Sequence, residues 1–467
     1  MSGSPLHIVQ INKIDSRGGA SRIALNLHQC YLRRNLDTWV AVGGKLTSYP
    51  KVVEIPNEET RSPYTKTLSR VANFISRLNG SRRETNIAKE VLQFLAEPHR
   101  WSDNFRGIED FHYPGTWRVL ELFPRVPDLV HCHNLHGGFF DLRALPWLSQ
   151  TVPVVLTLHD AWLLSGHCAH SLGCDRWITG CGQCPDLGIY PAIKRDATAF
   201  NWKRKQKIFA GSRVYVATPS QWLMERVRQS ILAEAVLESK VIPNGVDLSC
   251  FRPGDKESVR AFLGMPVDAK VLLLAADALR SSNWKDSQTT QLVLETLAEI
   301  LHKDMLFIAL GDQRPLERIG RAKVMFVPYQ RQAEAVARYY QAADVYLHPA
   351  KADTFPNSIL EALACGTVVV ATAVGGIPEQ VKALDRFPAD EEFRGYGADE
   401  ATGVLVTKGD AKAMADAALA LLTEHSLQQR LSDNAAQDVA NRFGLQSQVE
   451  QYLGWYQAIL EQRNLKH

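Results

Sequence analysis

The chain has 467 residues, 45% of them apolar and 22% charged, which is too long for one ordinary core and too well balanced for a disordered or fibrous protein. A net charge of only +3, with no basic patch interleaved with aromatic residues, argues against nucleic acid as a partner. The N-terminus MSGSPLHIVQINKI has no basic segment leading into an apolar one, and no window offers about 18 uninterrupted apolar residues, so a cytoplasmic location is expected.

Residues 7–11 read as a strand and 20–34 as a helix, with further strands at 39–42, 129–131 and 154–158. A second series follows at 271–275, 305–310, 323–327, 345–348 and 368–371, with helical patterns between. This alternation predicts an α/β protein with two mostly parallel, doubly wound sheets. Ile242-Pro-Asn-Gly and Phe251-Arg-Pro-Gly interrupt regular structure between the two series. The expected division is therefore an N-terminal domain 1–247, a C-terminal domain 248–444 and a last segment 445–467. That segment carries Val449, Leu453, Trp455, Tyr456, Ile459 and Leu460 at helical spacing, an amphipathic helix that packs back on the first domain.

The first strand runs into Ile14-Asp-Ser-Arg-Gly18-Gly19 and then a helix, so bare backbone N–H groups near a helix N-terminus can receive phosphate oxygens. The same glycines also suit a plain tight turn. Their spacing is not G-x-G-x-x-G, which argues against a nicotinamide enzyme. In the second series, Asp353 follows the strand 345–348 and Glu361 lies on the next helix, within Asp353-Thr-Phe-Pro-Asn-Ser-Ile-Leu-Glu361-Ala-Leu-Ala-Cys-Gly. Both carboxylates are placed at the C-terminal ends of strands, where open α/β sheets bind ligands and where a carboxylate can hold sugar or ribose hydroxyls. A solvated acid complementing the helix dipole is the alternative.

Asp353 and Glu361, with Gly375-Gly-Ile-Pro-Glu379 after them, resemble the E-x7-E motif of the family 4 retaining glycosyltransferases of GT-B fold, with Asp in place of the first Glu. The resemblance implies two facing Rossmann-like domains with a cleft between them. It implies that Asp353 contacts the donor sugar, that Glu361 contacts the nucleotide ribose, and that Phe355, Pro356, Asn357 and Ser358 line the donor site. Leu279-Arg280-Ser-Ser-Asn-Trp-Lys285-Asp resembles the family's G-R-L-x-x-x-K-G without its glycines, which makes Arg280 and Lys285 the cations for a UDP- or GDP-sugar diphosphate. His159, in Thr157-Leu-His-Asp, matches a family histidine close to the transferred sugar, while His131, His133 and His136 end the neighbouring strand on the acceptor side. Catalysis is expected to need no metal.

His133-Asn-Leu-His-Gly-Gly, Leu158-His-Asp-Ala-Trp, Gly166-His-Cys, Gly180-Cys-Gly-Gln-Cys-Pro and Pro219-Ser-Gln-Trp-Leu are similar to a bacterial subgroup that builds exopolysaccharides of the colanic-acid type. The implied acceptor is a saccharide or a lipid-linked saccharide. A GT-B epimerase and an inactive donor-binding scaffold are the rival readings.

Of eight cysteines, Cys168, Cys174, Cys181 and Cys184 fall in an insertion at 165–186, spaced C-x5-C-x6-C-x2-C. Four such thiolates can close a tetrahedral zinc shell, and the segment is too poor in aliphatic residues to pack a small core, so structural zinc is expected over plain reduced thiols. Residues 66–83 place Leu68, Val71, Phe74, Ile75 and Leu78 among Arg70, Arg77, Arg82 and Arg83. Such a helix covers a core or lies against the inner face of an anionic membrane.

Overall fold

A computed structural model gives the fold and describes residues 5–16, 18–78, 91–92, 94–275, 284–301, 305–320, 322–387 and 394–465. The chain divides into two compact units, one of Met1–Thr218, Leu223–Val241 and Leu453–His467, the other of Pro219–Trp222 and Ile242–Tyr452. Among the described residues, no helix is long and apolar enough to cross a membrane.

The first unit holds strands β1 (His7–Ile14), β2 (Asp37–Gly44), β3 (Val52–Glu54), β4 (Leu129–Cys132), β5 (Val154–Thr157), β6 (Val214–Thr218) and β7 (Val236–Val241). They form one sheet in the order β3-β2-β1-β4-β5-β6-β7, and each neighbouring pair is parallel. The winding reverses between β1 and β4. At such a reversal the loops leave the two central strands on opposite sides of the sheet and open a crevice beyond their C-terminal ends.

The second unit repeats this plan with β8 (Lys270–Ala275), β9 (Met305–Leu310), β10 (Glu317–Ile319), β11 (Ala322–Val327), β12 (Val345–His348), β13 (Val368–Thr372) and β14 (Gly403–Val406). The order is β10-β11-β9-β8-β12-β13-β14, so its reversal falls between β8 and β12. Only the edge pair β10 and β11 is antiparallel among the pairings described. Alternate residues of β8 feed separate cores. Val271 and Leu273 pack with Ile308, Tyr346 and Val369 on one face, whereas Leu272 and Leu274 pack with Phe307, Leu347 and Val370 on the other. A strand buried on both faces reads as an unbroken apolar run, which is why these strands are visible in the sequence.

Strands β3, β6, β7, β10 and β14 go beyond the sequence expectation, and β1 is longer than expected. Asn12 and Ile14 of β1 still pair with Val42 and Gly44 of β2, and Asn12 is buried because its side chain donates to Ser21 Oγ and to the Ile14 carbonyl. The last helix, Leu445–Asn464, buries Val449, Tyr452, Trp455, Tyr456 and Ile459. From Leu453 onward it belongs to the first unit, where Trp455 Nε1 donates to Glu238 of β7 at 3.0 Å and the Tyr456 hydroxyl lies 2.6 Å from His131 Nδ1 on β4.

Candidate active site

In the second unit the chain at 284–286 runs beside the exit of β12. Lys285 bridges to Ala350, the Asp286 N–H donates to the Pro349 carbonyl and the Lys351 N–H to that of Trp284. This backbone pairing carries Lys285 to the end of β12, where its Nζ is 2.9 Å from His348 Nε2 and 3.2 Å from Asp353 Oδ2. His348 is the member of this cluster that motif reading missed. Burial, and then the neighbouring Lys285, bring its pKa down to about 4, so the ring is neutral. With Nε2 accepting from the ammonium, Nδ1–H is left for the Tyr346 hydroxyl at 3.1 Å. Burial pushes the Asp353 carboxyl up, but the Lys285 ammonium outweighs it and holds the group well below the usual carboxylate range. The site thus carries a fixed ion pair, with Lys285 and Asp353 15% and 24% exposed.

The loop after Asp353 is clamped by glycine. A Cβ on Gly375, at φ +60°, would lie 1.7 Å from the Asp353 carbonyl oxygen, and one on Gly376 would lie 2.0 Å from that of Thr354. Helix Asn357–Ala364 then begins at Pro356 with no side-chain cap and no acid in its first turn, an N-terminus suited to an anion. Phe355 is buried. Asn244 Nδ2 donates to Asn357 Oδ1 at 3.0 Å and to the Phe355 carbonyl at 3.3 Å, while Gln380 holds the Pro356 carbonyl. Ser358 bonds the Tyr346 hydroxyl. Glu361 is 6% exposed and takes a bond from the Tyr340 hydroxyl at 3.4 Å, so it is not the solvated helix acid of the alternative reading. Arg280 lies outside the described residues.

The first unit places Gly18, at φ 90°, as the N-cap of helix Gly19–Arg33, with nothing within 4 Å of where a Cβ would stand. The positive φ demands glycine there, and the space above it stays open. At the C-terminal ends of β4 and β5 lies an array of imidazoles. His131 Nε2 is 2.6 Å from Thr157 Oγ1, His133 Nε2 is 3.0 Å from Gln10 Oε1, and His133 Nδ1 is 3.0 Å from His159 Nε2. Burial is the largest cause that lowers all three, to about 3 for His131, about 4 for His159, and well below the ordinary value for His133. Neutral rings fit this chain in one direction: His133 donates from Nε2 to Gln10, and His159 donates from Nε2 to His133. His136 is separate, with Nε2 2.6 Å from Asp160 Oδ2.

Cys168, Cys174, Cys181 and Cys184 are free thiols that line one pocket with His167. The Gly166 N–H donates to Cys181 Sγ at 3.2 Å, and His167 Nε2 is 3.4 Å from Cys184 Sγ. Burial raises the Cys181 thiol to about 11. Among the described residues, however, no group of three or more His, Cys, Asp or Glu side chains stands close enough to hold a metal ion. Within 66–83, helix Pro63–Leu78 exposes Val71 and Phe74, with Tyr64 before them. Arg82 and Arg83 lie outside the described residues.

Residues 17–249 match the sequence profile described as Glycosyltransferase Family 4, and residues 278–424 match that of Glycosyl transferases group 1. Over 399 residues the chain is 25% identical to an Escherichia coli (strain K12) protein described as a colanic acid biosynthesis glycosyl transferase, WcaC, covering 79% of this chain and 83% of that one. It is 26% identical over 352 residues to the D-inositol 3-phosphate glycosyltransferase 1 of Catenulispora acidiphila, covering 72% and 73%. Among solved structures, HepE of Anabaena in complex with UDP-glucose superposes with a TM-score of 0.58 at 16% identity, over 97% of this chain and 100% of that one. The architecture is GT-B.

Proposed function

Because this chain belongs to glycosyltransferase family 4, we propose that it moves a hexose from a nucleoside diphosphate sugar to a hydroxyl of a saccharide or lipid-linked saccharide, with retention at the anomeric carbon. The observation that carries this reading is the Lys285 ammonium held between His348 and Asp353 beside an uncapped helix N-terminus. As the anomeric C–O bond breaks, negative charge collects on the leaving diphosphate. Lys285, Arg280 and the Gly18 and Gly19 amides stabilise it without a metal ion. The acceptor oxygen bonds to the anomeric carbon and its proton passes to the leaving phosphate. Asp353 orients the donor sugar, Glu361 holds the ribose, and His159 offers the sugar a neutral hydrogen-bond partner.

Binding of UDP-glucose by HepE supports a UDP-sugar, with a GDP-sugar as the other donor to test. Similarity to WcaC supports a role in exopolysaccharide synthesis. Exposed Tyr64, Val71 and Phe74 near Arg70 support peripheral contact with an anionic membrane at its cytoplasmic face. For the insertion 165–186 we propose a structural zinc ion on Cys168, Cys174, Cys181 and Cys184, outside the chemistry. Their common pocket supports it, although the sulfur atoms have to draw closer than they stand here. Zinc below about a tenth of an equivalent in protein purified under reducing conditions rejects that ion.

A thermal-shift screen of UDP- and GDP-sugars tests the donor, since a ligand at 100 times its Kd adds about 2.7 kcal/mol of stability. With the donor found, transfer in excess chelator and an α-linked product from an α-linked donor are expected, the linkage read from NMR coupling constants. An inverted product overturns the mechanism.

A further inference from the structure

Behind Lys285 runs a line of polar groups in which each hydrogen is placed by the group before it. An ammonium has three donors and no acceptor, so at 2.9 Å from His348 Nε2 it requires a lone pair on that nitrogen. Asp353 Oδ2, which would draw a hydrogen onto Nε2, stands farther off at 3.4 Å. Burial, and then Lys285, bring the His348 pKa down to about 4, so the ring keeps one hydrogen and carries it on Nδ1. That nitrogen is 3.1 Å from the Tyr346 hydroxyl, whose oxygen therefore accepts.

Tyr346 is buried, its ring is met edge-on by Tyr340 with centroids 5.5 Å apart, and burial raises its pKa, so it keeps its hydrogen. Among the described residues the partners of this hydroxyl are His348 and Ser358. With His348 donating, the tyrosine hydrogen goes to Ser358 Oγ. The reverse direction would leave a buried donor without an acceptor, at a cost of about 1–3 kcal/mol. Ser358 is partly exposed and is the second residue of helix Asn357–Ala364. Its oxygen accepts from Tyr346, so its own hydrogen turns away from the tyrosine.

We infer that Lys285, His348, Tyr346 and Ser358 form one directed hydrogen-bond chain, in which His348 and Tyr346 are positioning residues that aim the Ser358 hydroxyl, alongside the Lys285 ammonium, at the diphosphate of the donor nucleotide. The designation of that anion rests on the nucleoside diphosphate sugar reading. The chain is polarised from its charged end. The ammonium draws electron density from the imidazole, which makes Nδ1–H, then the phenol, then the serine hydroxyl a stronger donor. A leaving diphosphate thus meets a fixed positive charge and a neutral O–H strengthened by that same charge.

Two measurements on the full chain test this. The first needs no ligand: proton–nitrogen correlation spectra of the histidine rings at neutral pH, with the His348 signals assigned by their loss in His348→Gln, should show hydrogen on Nδ1 and a bare Nε2. Hydrogen on Nε2 overturns the inference. The second is calorimetric titration with UDP and with GDP. Affinity for the one that binds is expected to fall about tenfold in Ser358→Ala and about threefold in Tyr346→Phe. Tyr346→Phe is expected to add nothing once Ser358 is alanine, because the tyrosine acts only through the serine. A tyrosine that merely supports the fold makes the double variant weaker by the product, about thirtyfold, and that overturns the inference, as does unchanged affinity in Ser358→Ala. If Tyr346→Phe does not fold, the position of the His348 hydrogen and Ser358→Ala decide without it. Each of these failures leaves the donor reading standing. Binding of neither nucleotide removes the donor reading, and this inference with it.

Discussion

Both sheets are wound the same way, yet the residues at the ends of their central strands carry different chemistry. Beyond β12 the second unit holds an ammonium, a carboxylate and a neutral imidazole within 3.4 Å of one another. At the ends of β4 and β5 the first unit holds His131, His133 and His159 bonded to one another or to uncharged side chains, with the His136–Asp160 pair apart from them. Fixed charge serves a group whose charge grows during reaction, whereas a neutral array serves hydroxyls, which offer hydrogen bonds and no charge. The shared winding sets where a crevice lies in each unit; the side chains after each strand set the chemistry that crevice offers.

The largest effect expected is on transfer. Lys285→Ala and Glu361→Ala should each lower kcat about a hundredfold while the protein stays folded, since loss of one charged stabiliser costs on the order of 3 kcal/mol of barrier. His159→Ala should cost only about tenfold, the scale of one neutral hydrogen bond. Steady-state kinetics of the three variants, with folding checked by circular dichroism, breaks the comparison if the order is reversed.

Acid separates the units next. In the first unit burial lowers His28, His131 and His159 to between about 3 and about 4, with His7 and His133 lowered as well. In the second, among the described residues, His348 is the one so lowered. Unfolded, each binds a proton below about pH 6.5, but folded it does not until far lower, so stability is intact above that pH and falls as pH drops. At pH 5.5 each of His131 and His348 withdraws about 1.4 kcal/mol. Hydrogen exchange, corrected for intrinsic rates, should show β4 and β5 losing protection between pH 7.5 and 5.5 more than β8 and β12. Equal loss removes the asymmetry.

How much of this the sequence discloses depends on whether the contacts are local. β8, β9 and β13 are unbroken apolar runs because both faces are buried, and the Asp353 to Glu361 spacing is local, so both could be read directly. β7 reads Val-Leu-Glu-Ser-Lys-Val and is partly exposed along its length, so no run marks it, and β10 is three residues long. His348 and Lys285 are 63 residues apart and meet only because 284–286 runs beside β12. A faint signal did exist for His136 and Asp160. The β4–β5 register sets Cys132 opposite Leu156, an offset of 24 residues, and the same offset relates His136 to Asp160. Without knowing that these two strands are neighbours, the offset has no meaning.

The smallest effect tests what holds the neutral array in place. The Tyr456 hydroxyl is 2.6 Å from His131 Nδ1 and also lies 3.4 Å from the Tyr31 hydroxyl, with both tyrosines fully buried. His131 Nε2 is bonded to Thr157 on β5, so the Tyr456 hydroxyl ties the last helix of the chain to the imidazole array, beside the edge-on contact of its ring with His131. Tyr456→Phe removes that atom and keeps the ring, leaving His131 Nδ1 without this partner in a site too closed for bulk water. The expected cost is about 1–2 kcal/mol of stability, because a buried acceptor loses its bond while the packing stays. If the fold alone orders the array, kcat should stay within about threefold of the unaltered protein, since Thr157 and Gln10 still hold His131 and His133. A loss of transfer as large as that of His159→Ala, with stability unchanged, shows instead that the terminal helix sets the orientation of the rings, and the first half-site then depends on the end of the chain as much as on its own two strands.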